Sequence, residues 1–211
     1  MSRIDLNDEN NQYLDILKEL GNIGAGNAAT ALAQMLNTKV DMSVPQVKLL
    51  DFCDVGAILG GEEQIMAGIY LMVEGDITGS IMFLLEKSSA KHLVNMLMGA
   101  PDTANDDLNE MEQSALKEIG NIITASYLNS LSMLTNLKIF PSIPALSIDM
   151  AGAILSVPAI EFGTMGDKIL LIQNEFTEGL SGYFILVPDL ESYDKILSSI
   201  GGSRVFFFLF F

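Results

Sequence analysis

Residues Leu17–Ile23 read LKELGNI, and residues Leu116–Ile122 read LKEIGNI, 99 positions later. Laid over itself at this offset without a gap, the chain aligns Leu14–Pro45 with Gln113–Pro144, and eleven of the 32 positions are identical. Self-similarity at a fixed spacing is typical of an internal duplication. The sequence therefore predicts two repeats that are built from the same elements in the same order.

Each repeat opens with a long helix that carries the repeated stretch. In the first repeat the helix is predicted to begin near Asn10 and to end at Asn37, because its apolar side chains follow helical spacing. A second line of positions, at i, i+4, i+7 and i+11, lies on another face of the helix. Its members are Asp15, Glu19, Asn22 and Gly26 in the first repeat, and Ser114, Glu118, Asn121 and Ala125 in the second. We expect these two lines to face solvent while the Leu and Ala side chains pack.

After the long helix, each repeat continues with a strand that contains proline, a short helix, a β-hairpin and a closing helix. In the first repeat these elements are predicted at Lys39–Leu50, Asp51–Glu63 (a short helix and a loop), Gln64–Val73 with Asp76–Leu85, and Lys87–Met98. In the second repeat they are predicted at Lys138–Ile148, Asp149–Ser156, Lys168–Phe176 with Ser181–Val187, and Asp189–Ile200. The hairpin turn of the first repeat is placed at Glu74-Gly75, and Gly99 and Gly201 are predicted to end the closing helices.

This order of elements predicts the fold class. Strands in consecutive hairpins favour antiparallel pairing, and one repeat alone cannot cover both faces of a sheet. We predict an α+β fold with a pseudo-twofold internal duplication and helices packed on a mainly antiparallel sheet. Residues 1–211 are expected to form a single domain of two repeats, 10–99 and 109–201, joined by the acidic linker Ala100–Asn109. Two separable domains are the alternative, and residues 203–211 (ending in VFFFLFF) are an apolar tail of uncertain origin.

Composition restricts the possible functions. The chain has 27 acidic and 11 basic residues and a net charge of −16, which disfavours binding to the phosphates of nucleic acids or to an anionic membrane. No apolar run has the length of about 18–20 residues that membrane insertion needs, and the polar N-terminus lacks a signal-peptide core. A single cysteine suits a reducing compartment. We therefore expect a cytoplasmic protein with no nucleic-acid partner and no membrane insertion.

Several familiar motifs fail on inspection. Gly24–Ala29 half-matches a dinucleotide fingerprint, but it lies inside a predicted helix instead of after a strand, so close packing against another backbone is favoured. His92 is the only histidine and lacks partners for nucleophilic or zinc chemistry. Cys53 is not surrounded by a phosphatase loop. No metal site is predicted.

What remains is the pair of Glu and Asn, three residues apart, in each long helix: Glu19 with Asn22, and Glu118 with Asn121. Such residues are common on solvated helix faces. However, both pairs occur at the same helical phase, each Asn is followed 23 residues later by a proline, and a mid-helix Asn costs roughly 0.5 kcal/mol relative to Ala. The residues alone leave two hypotheses open: a functional pair, or a capping or kink device in which the Gly-Asn step shapes both helices.

The two motifs resemble a known family. Asp15-x3-Glu19-x2-Asn22-x22-Pro45 and Ser114-x3-Glu118-x2-Asn121-x22-Pro144 are similar to the pattern [DS]-x3-E-x2-N-x22-P of the CheC/CheX/FliY phosphatases of bacterial chemotaxis. The resemblance extends from Leu14 to about Gly201. Two motif copies in one module of this length are most like the CheC branch, because CheX carries one copy and FliY an additional C-terminal domain. The apolar tail departs from the family.

This resemblance implies an activity, a substrate and a set of site residues. The implied reaction is hydrolysis of the phospho-aspartate of the response regulator CheY, with Mg²⁺ supplied by CheY and no cofactor in the phosphatase itself. Asn22 and Asn121 would position the attacking water, and Glu19 and Glu118 would pair with a lysine of the regulator. Asp15 and Ser114 would extend the contact surface.

A second partner also follows from the resemblance. CheC proteins bind CheD, a receptor deamidase, and Asp149 matches the docking helix of the family, although it also suits a helix N-cap. Pro45 and Pro144 are interpreted as structural. Two alternatives to the phosphatase are a regulatory binding protein for CheD with weak catalysis, and a component of the flagellar switch.

Overall fold

The computed structural model describes residues 11–37, 39–40, 43, 45–101, 107–162, 168–175 and 181–207. The helices and strands within these ranges alternate in an order that is nearly the same in both repeats. They are α1 (Asn11–Leu36), β1 (Gln46–Asp51), α2 (Val55–Ile58), β2 (Ile65–Gly75), β3 (Gly79–Glu86), α3 (Lys87–Met98), α4 (Glu110–Thr135), β4 (Ile139–Pro141), β5 (Ala145–Met150), α5 (Ala151–Phe162), β6 (Lys168–Glu175), β7 (Ser181–Pro188) and α6 (Leu190–Phe207). None of these helices is long and apolar enough to cross a bilayer.

The strands form one sheet in the order β1-β6-β7-β3-β2-β4, and β5 pairs with β2 beside β4. Every strand pair in the sheet is antiparallel. Helices pack on this sheet, so the predicted α+β class and the mainly antiparallel sheet are confirmed.

The register of β3 and β7 locates the pseudo-twofold axis. Ser80 pairs with Val187, and Leu85 pairs with Gly182. From the hairpins to Gly99 and Gly201 the repeats are offset by 102 residues, so Ser80 and Gly182 hold the same position in their repeats, as do Leu85 and Val187. The pairing is therefore unchanged when the repeats are exchanged, and the axis passes between the two central strands.

The repeats also exchange a strand. β1, which follows the long helix of the first repeat, pairs with β6 of the second. Reciprocally, β5, which follows the long helix of the second repeat, pairs with β2 of the first. Each repeat thus supplies an outer strand to the hairpin of the other.

The two faces of the sheet carry different helices. Because side chains alternate along a strand, Ile69 and Leu71 of β2 pack under one helix layer, whereas Met66 packs under the other. The first layer buries Leu20 of α1 and Ile119 of α4, together with parts of α3 and α6. The second layer consists of α2 and α5. Both long helices therefore lie on the same face.

Two of the predicted strands differ in the structure, and in each case the difference lies at a proline. The strand predicted at Lys39–Leu50 begins only at Gln46, directly after Pro45. The strand predicted at Lys138–Ile148 is two strands, β4 and β5, and Pro144 lies between them. Proline lacks the N–H that a sheet ladder needs, so in both repeats it stands immediately before the strand that is exchanged.

The ends of the helices agree with the prediction in two places and differ in one. Asn37 follows α1 with a φ of 49°, and Gly99 ends α3 with a φ of 61°. Asn136, for which the sequence predicted no such role, follows α4 in the same way with a φ of 57°. The prediction that Gly201 ends the last helix is wrong, because α6 continues to Phe207. A glycine inside a helix costs only about 1 kcal/mol relative to alanine and does not by itself stop it. Residues 208–211 of the apolar tail lie outside the described residues.

The first hairpin turn also lies later than predicted. Glu74 and Gly75 are still in β2, where they pair with Phe140 and Ile139 of β4. The pairing of β2 with β3 ends at Val73 and Gly79, so the chain reverses over the residues between them.

Candidate functional site

The two Glu–Asn pairs lie on the outer surfaces of α1 and α4. Glu19, Asn22 and Glu118 are exposed, and Asn121 is half-buried. The residues beside them, Leu20 and Ile119 among others, are buried against the sheet. Each pair is therefore held in the middle of a packed helix with its side chains on the side away from the sheet.

The glycine before each Asn allows this placement. A Cβ atom at Gly21 would lie 2.8 Å from Cγ2 of Val47, and one at Gly120 would lie 2.7 Å from Cγ1 of Ile69. Only glycine lets the helix approach the sheet this closely. The Gly-Asn step lies far from the ends of α1 and α4, so the capping hypothesis is wrong.

The small residues of α1 have a different neighbour from the one predicted. A Cβ atom at Gly24 would lie 2.3 Å from Cδ1 of the Tyr127 ring, whereas none of the described atoms lies within 4 Å of a Cβ at Gly26. Gly24 thus makes room for an aromatic side chain of α4, where the sequence suggested a backbone. Tyr127 in turn stacks on Phe184 with ring centroids 4.2 Å apart.

The residues one turn before each Glu differ between the repeats. Asp15 is exposed, and its Oδ1 lies 3.6 Å from Nζ of Lys18. Ser114 is also exposed, but its hydroxyl donates to the carbonyl oxygen of Glu110 in its own helix at 2.9 Å.

The four side chains of the pairs have no hydrogen-bond partner in the part of the chain that the structure describes. They are therefore available to an incoming molecule.

The start of α4 is fixed by a buried ion pair that sequence reasoning missed. Nζ of Lys91 in α3 donates to both carboxylate oxygens of Glu112 at 2.8 Å. Glu112 also accepts from the backbone N–H of Asn109, whose side chain caps the helix in return. The hydrogen bond from Lys91, reinforced by that from Asn109, lowers the pKa of Glu112 below its ordinary value of 4.5. The spacing Asn-x-x-Glu before an apolar run is the sequence signal of such a capping box.

Two methionines on the outer face of α4 were also missed. Met111 and Met133 are 68% and 75% exposed, an unusual position for side chains of this size. Both fall within about 60° of Glu118 on a helical projection, so the phase of the helix could have revealed them. Gln12 and Gln34 hold the corresponding positions in the first repeat.

Asp149 is not in the predicted helix. It is exposed near the end of β5, and its Oδ1 accepts from the N–H of Met150 at 2.8 Å. The first N–H groups of α5, from Ala151 and Gly152, are instead satisfied by the carbonyls of Gln64 and Glu62. The helix therefore begins at Ala151 without an Asp cap, and the N-cap interpretation is wrong.

The arrangement on α1 and α4 has a definite chemical capacity. A carboxamide accepts a hydrogen bond through its oxygen and donates two through its nitrogen, and a carboxylate one turn away accepts from a cation. Neither group is a strong nucleophile. Among the described residues no group of three His, Cys, Asp or Glu side chains could hold a metal ion. The pairs are suited to orienting water and a charged partner.

Known proteins are similar to this chain in sequence and in fold. The sequence model of the CheC-like family matches residues 13–49 and 111–148, which contain both Glu–Asn pairs and end one residue before Asp149. The chain is 39% identical over 199 residues to the CheY-P phosphatase CheC of Bacillus subtilis, and the alignment covers 91% of this chain and 95% of that protein.

FliY proteins are similar to the chain over different extents. The flagellar motor switch phosphatase FliY of Bacillus subtilis is 30% identical over 135 residues, which is 64% of this chain but 35% of that protein. The crystal structure of FliY from Thermotoga maritima superposes with a TM-score of 0.70, at 22% identity over 89% of this chain and 95% of that one. The latter similarity concerns the fold. From its similarity to the Bacillus CheC over nearly the full length, this chain belongs to the CheC-like family.

Proposed function

We propose that this protein hydrolyses the aspartyl phosphate of a CheY-type response regulator at two sites, Glu19 with Asn22 and Glu118 with Asn121. The observation that carries the proposal is the repeated presentation of the pair on the outer surface of a packed helix. A family relative named CheY-P phosphatase supports the substrate.

In this proposal the Asn carboxamide positions the attacking water. Its oxygen accepts a hydrogen bond from the water, and its NH₂ group donates to a phosphoryl oxygen. The water lies in line with phosphorus and with the bond to the aspartyl oxygen, which is catalysis by positioning. Asn22 and Asn121 perform the same step in the two sites.

The reaction consumes one water molecule. The oxygen of water forms a bond to phosphorus while the bond between phosphorus and the aspartyl oxygen breaks. The products are inorganic phosphate and a regenerated Asp carboxylate, and the proton of the water passes to phosphate or solvent. The protein forms no covalent intermediate and needs no nucleophile of its own.

Glu19 and Glu118 set the docking register. Each carboxylate lies one helical turn before its Asn and pairs with a lysine in the active site of the regulator. Asp15 and Ser114, a further turn away, extend the contact surface. The Mg²⁺ that neutralises the phosphoryl oxygens belongs to the regulator, so the phosphatase requires no cofactor of its own and acts in the cytoplasm with its substrate.

The test is the decay of a phosphorylated CheY-type regulator in the presence of the protein and its variants. We expect Asn22→Ala and Asn121→Ala each to retain the activity of the other site. The double variant should leave only the intrinsic decay of the regulator. A double variant as active as the unaltered protein would refute the catalytic assignment.

A control away from the two long helices is Ser156→Ala. Ser156 is exposed on α5, in the helix layer on the other face of the sheet. It should leave the decay rate unchanged, so a loss of activity there would point to a general effect of substitution instead of loss of a catalytic group.

A CheD-type deamidase is proposed as a second partner, next to Asp149. Asp149 and Met150 are exposed at the end of β5, and α5, which follows, exposes 48% of Val157 and 82% of Ile160. Exposed apolar side chains near a charged residue are typical of interaction surfaces. This site lies on other elements than the two Glu–Asn pairs, which makes it separable from catalysis.

Binding to CheD is tested by a pull-down with Asp149→Lys and Ile160→Lys. Both variants should lose CheD and keep the phosphatase activity. Retention of CheD by both would remove this surface from the proposal, while loss of phosphatase activity would show that the two functions are not separate. The flagellar-switch alternative predicts co-sedimentation with basal bodies.

A further inference from the structure

We propose that the two sites are mutually exclusive, so that one molecule of the protein binds one phosphorylated regulator at a time. This inference rests on the proposed function and concerns how the two sites share their substrate. It follows from the direction and spacing of α1 and α4.

The two long helices run antiparallel. They lie on the same face of the sheet, and the pseudo-twofold axis between β3 and β7 relates them. Two helices that pack on the same face of a sheet and are related by a twofold axis perpendicular to that sheet run in opposite directions. The contacts agree, because Leu17 near the start of α1 and Leu131 near the end of α4 line the same apolar pocket.

The contact of Gly24 with Tyr127 gives the offset between the helices. Counting from it in opposite directions, Asn22 is level with residue 129, eight residues from Asn121. At 1.5 Å per residue the two Asn are about 12 Å apart along the helix axes. Packed helices are about 8–10 Å apart, so the two Asn positions are separated by about 15 Å.

A bound regulator needs more room than this. A stable protein interface covers about 800 Å² on each partner, which corresponds to a patch with a radius of about 16 Å. A domain of about 100 residues has a radius of gyration of about 13 Å, and its outer radius is larger still. A regulator centred on one pair therefore covers the other pair, and two regulators would overlap.

The exposed side of the helices reinforces this conclusion. Glu19 and Glu118 both face away from the sheet, so two regulators would approach from the same side of the molecule. Neither the sheet nor the layer of α2 and α5 lies between the two sites.

The test is the stoichiometry of the complex with a regulator that is held in its activated state by beryllofluoride and Mg²⁺. Titration calorimetry and the mass of the complex from light scattering give the number of regulators bound by the full chain. Glu19→Lys and Glu118→Lys each disable one site, since a like charge then faces the regulator's lysine and weakens binding about 100-fold or more. Glu63→Lys, an exposed substitution beside α5, is the control with the same charge change.

We expect one regulator per molecule for the unaltered protein and the control, and also one for each single variant. The double variant should bind none. Two regulators on the unaltered protein would overturn the inference and leave the proposed function intact. Loss of all binding in one single variant would also overturn it, because only one site would then exist. If the unaltered protein binds no activated regulator, the proposed function itself fails.

Discussion

The two long helices carry the same Glu–Asn pair, but they are held in different ways. Around α4 the chain uses a capping box, the buried pair of Lys91 and Glu112, and the large ring of Tyr127. At the position of Tyr127 the first repeat has Ala28, which is also fully buried. Beside α1, the residue that corresponds to Lys91 is Tyr193 of the second repeat, which lines an apolar pocket together with Leu17. Tyr193 is half-buried, and burial raises its pKa to about 12.

This contrast shows which features a duplicated sequence has kept. The Glu, the Asn and the glycine before each Asn are unchanged in both helices, whereas several residues that anchor the helices have diverged. Packing can be achieved by many combinations of side chains of suitable volume, but a carboxamide at a fixed position cannot be replaced by a different group. The shared residues are therefore the ones that a common chemistry would require.

The strongest test of the contrast is to remove the ring that distinguishes α4. Tyr127→Ala should destabilise the protein by about 3–5 kcal/mol, the usual cost of deleting a buried aromatic side chain. Urea unfolding would measure this change. Tyr127→Phe separates the ring from its hydroxyl, which donates to Oδ1 of Asn174 at 2.5 Å. It should cost about 1–3 kcal/mol for the unsatisfied partner, and an equal loss in both variants would contradict the role of the ring.

The buried ion pair provides a pH test. Lys91→Met removes the partner of a buried carboxylate and should destabilise the fold more than Lys87→Met, whose partner Asp107 is exposed. Because the pKa of Glu112 is lowered in the folded protein, the stability it contributes is present above pH 4.5 and is lost as the pH falls below that value. Thermal melts from pH 7 to about 3 should show the gap between Lys91→Met and the unaltered protein closing in acid. A gap that widens would contradict the assignment.

Gly24 and Gly26 form a matched pair on α1. Gly24→Ala places a Cβ against Tyr127 and should cost about 1–3 kcal/mol as overpacking does. Gly26→Ala meets open space and should stabilise the helix by about 0.4–1 kcal/mol. Chemical denaturation would decide. The destabilisation caused by Gly24→Ala should be smaller in a Tyr127→Ala background than in the unaltered protein. An equal destabilisation in both backgrounds would show that the two residues are not in contact.

The smallest expected effect concerns the residue that differs between the sites. The double variant Asp15→Ser/Ser114→Asp moves an exposed charge from one helix to the other. Exposed ion pairs are worth about 0.2–1 kcal/mol, so regulator decay should change by less than about fivefold. Asp15→Ser measured in an Asn121→Ala background reports on the first site alone, and Ser114→Asp measured in an Asn22→Ala background reports on the second site alone. A tenfold change would show that this position determines the difference between the sites.

The sequence predicted the helices more accurately than the sheet. The long helices and α3 have strong 3.6-residue periodicity and clear ends, so Asn37 and Gly99 were placed correctly. The strands next to Pro45 and Pro144 were predicted too long, because alternation of apolar residues continues through the proline while the hydrogen-bonded ladder does not.

Features that depend on distant residues could not be read from local patterns. The exchange of β1 and β5 between the repeats depends on which hairpin edge each strand meets in space. Likewise, nothing near Lys91 in the sequence indicates that Glu112 will bury beside it. The outward phase of the Glu–Asn pairs was predictable, since it depends only on the helix that carries them. Their catalytic role, and the single domain of two repeats, stay predictions.

The exchanged strands also bear on how such a chain could arise. A gene that encoded a single repeat would yield a hairpin with an open edge and a spare strand that fits only the edge of another copy. Two such chains could close the sheet by trading strands around a true twofold axis. Gene fusion would then turn that homodimer into one polypeptide, and from that moment each helix could change independently of its twin. In a homodimer every substitution appears in both subunits. The differences between the surroundings of α1 and α4 therefore require that the two copies be fused in one chain.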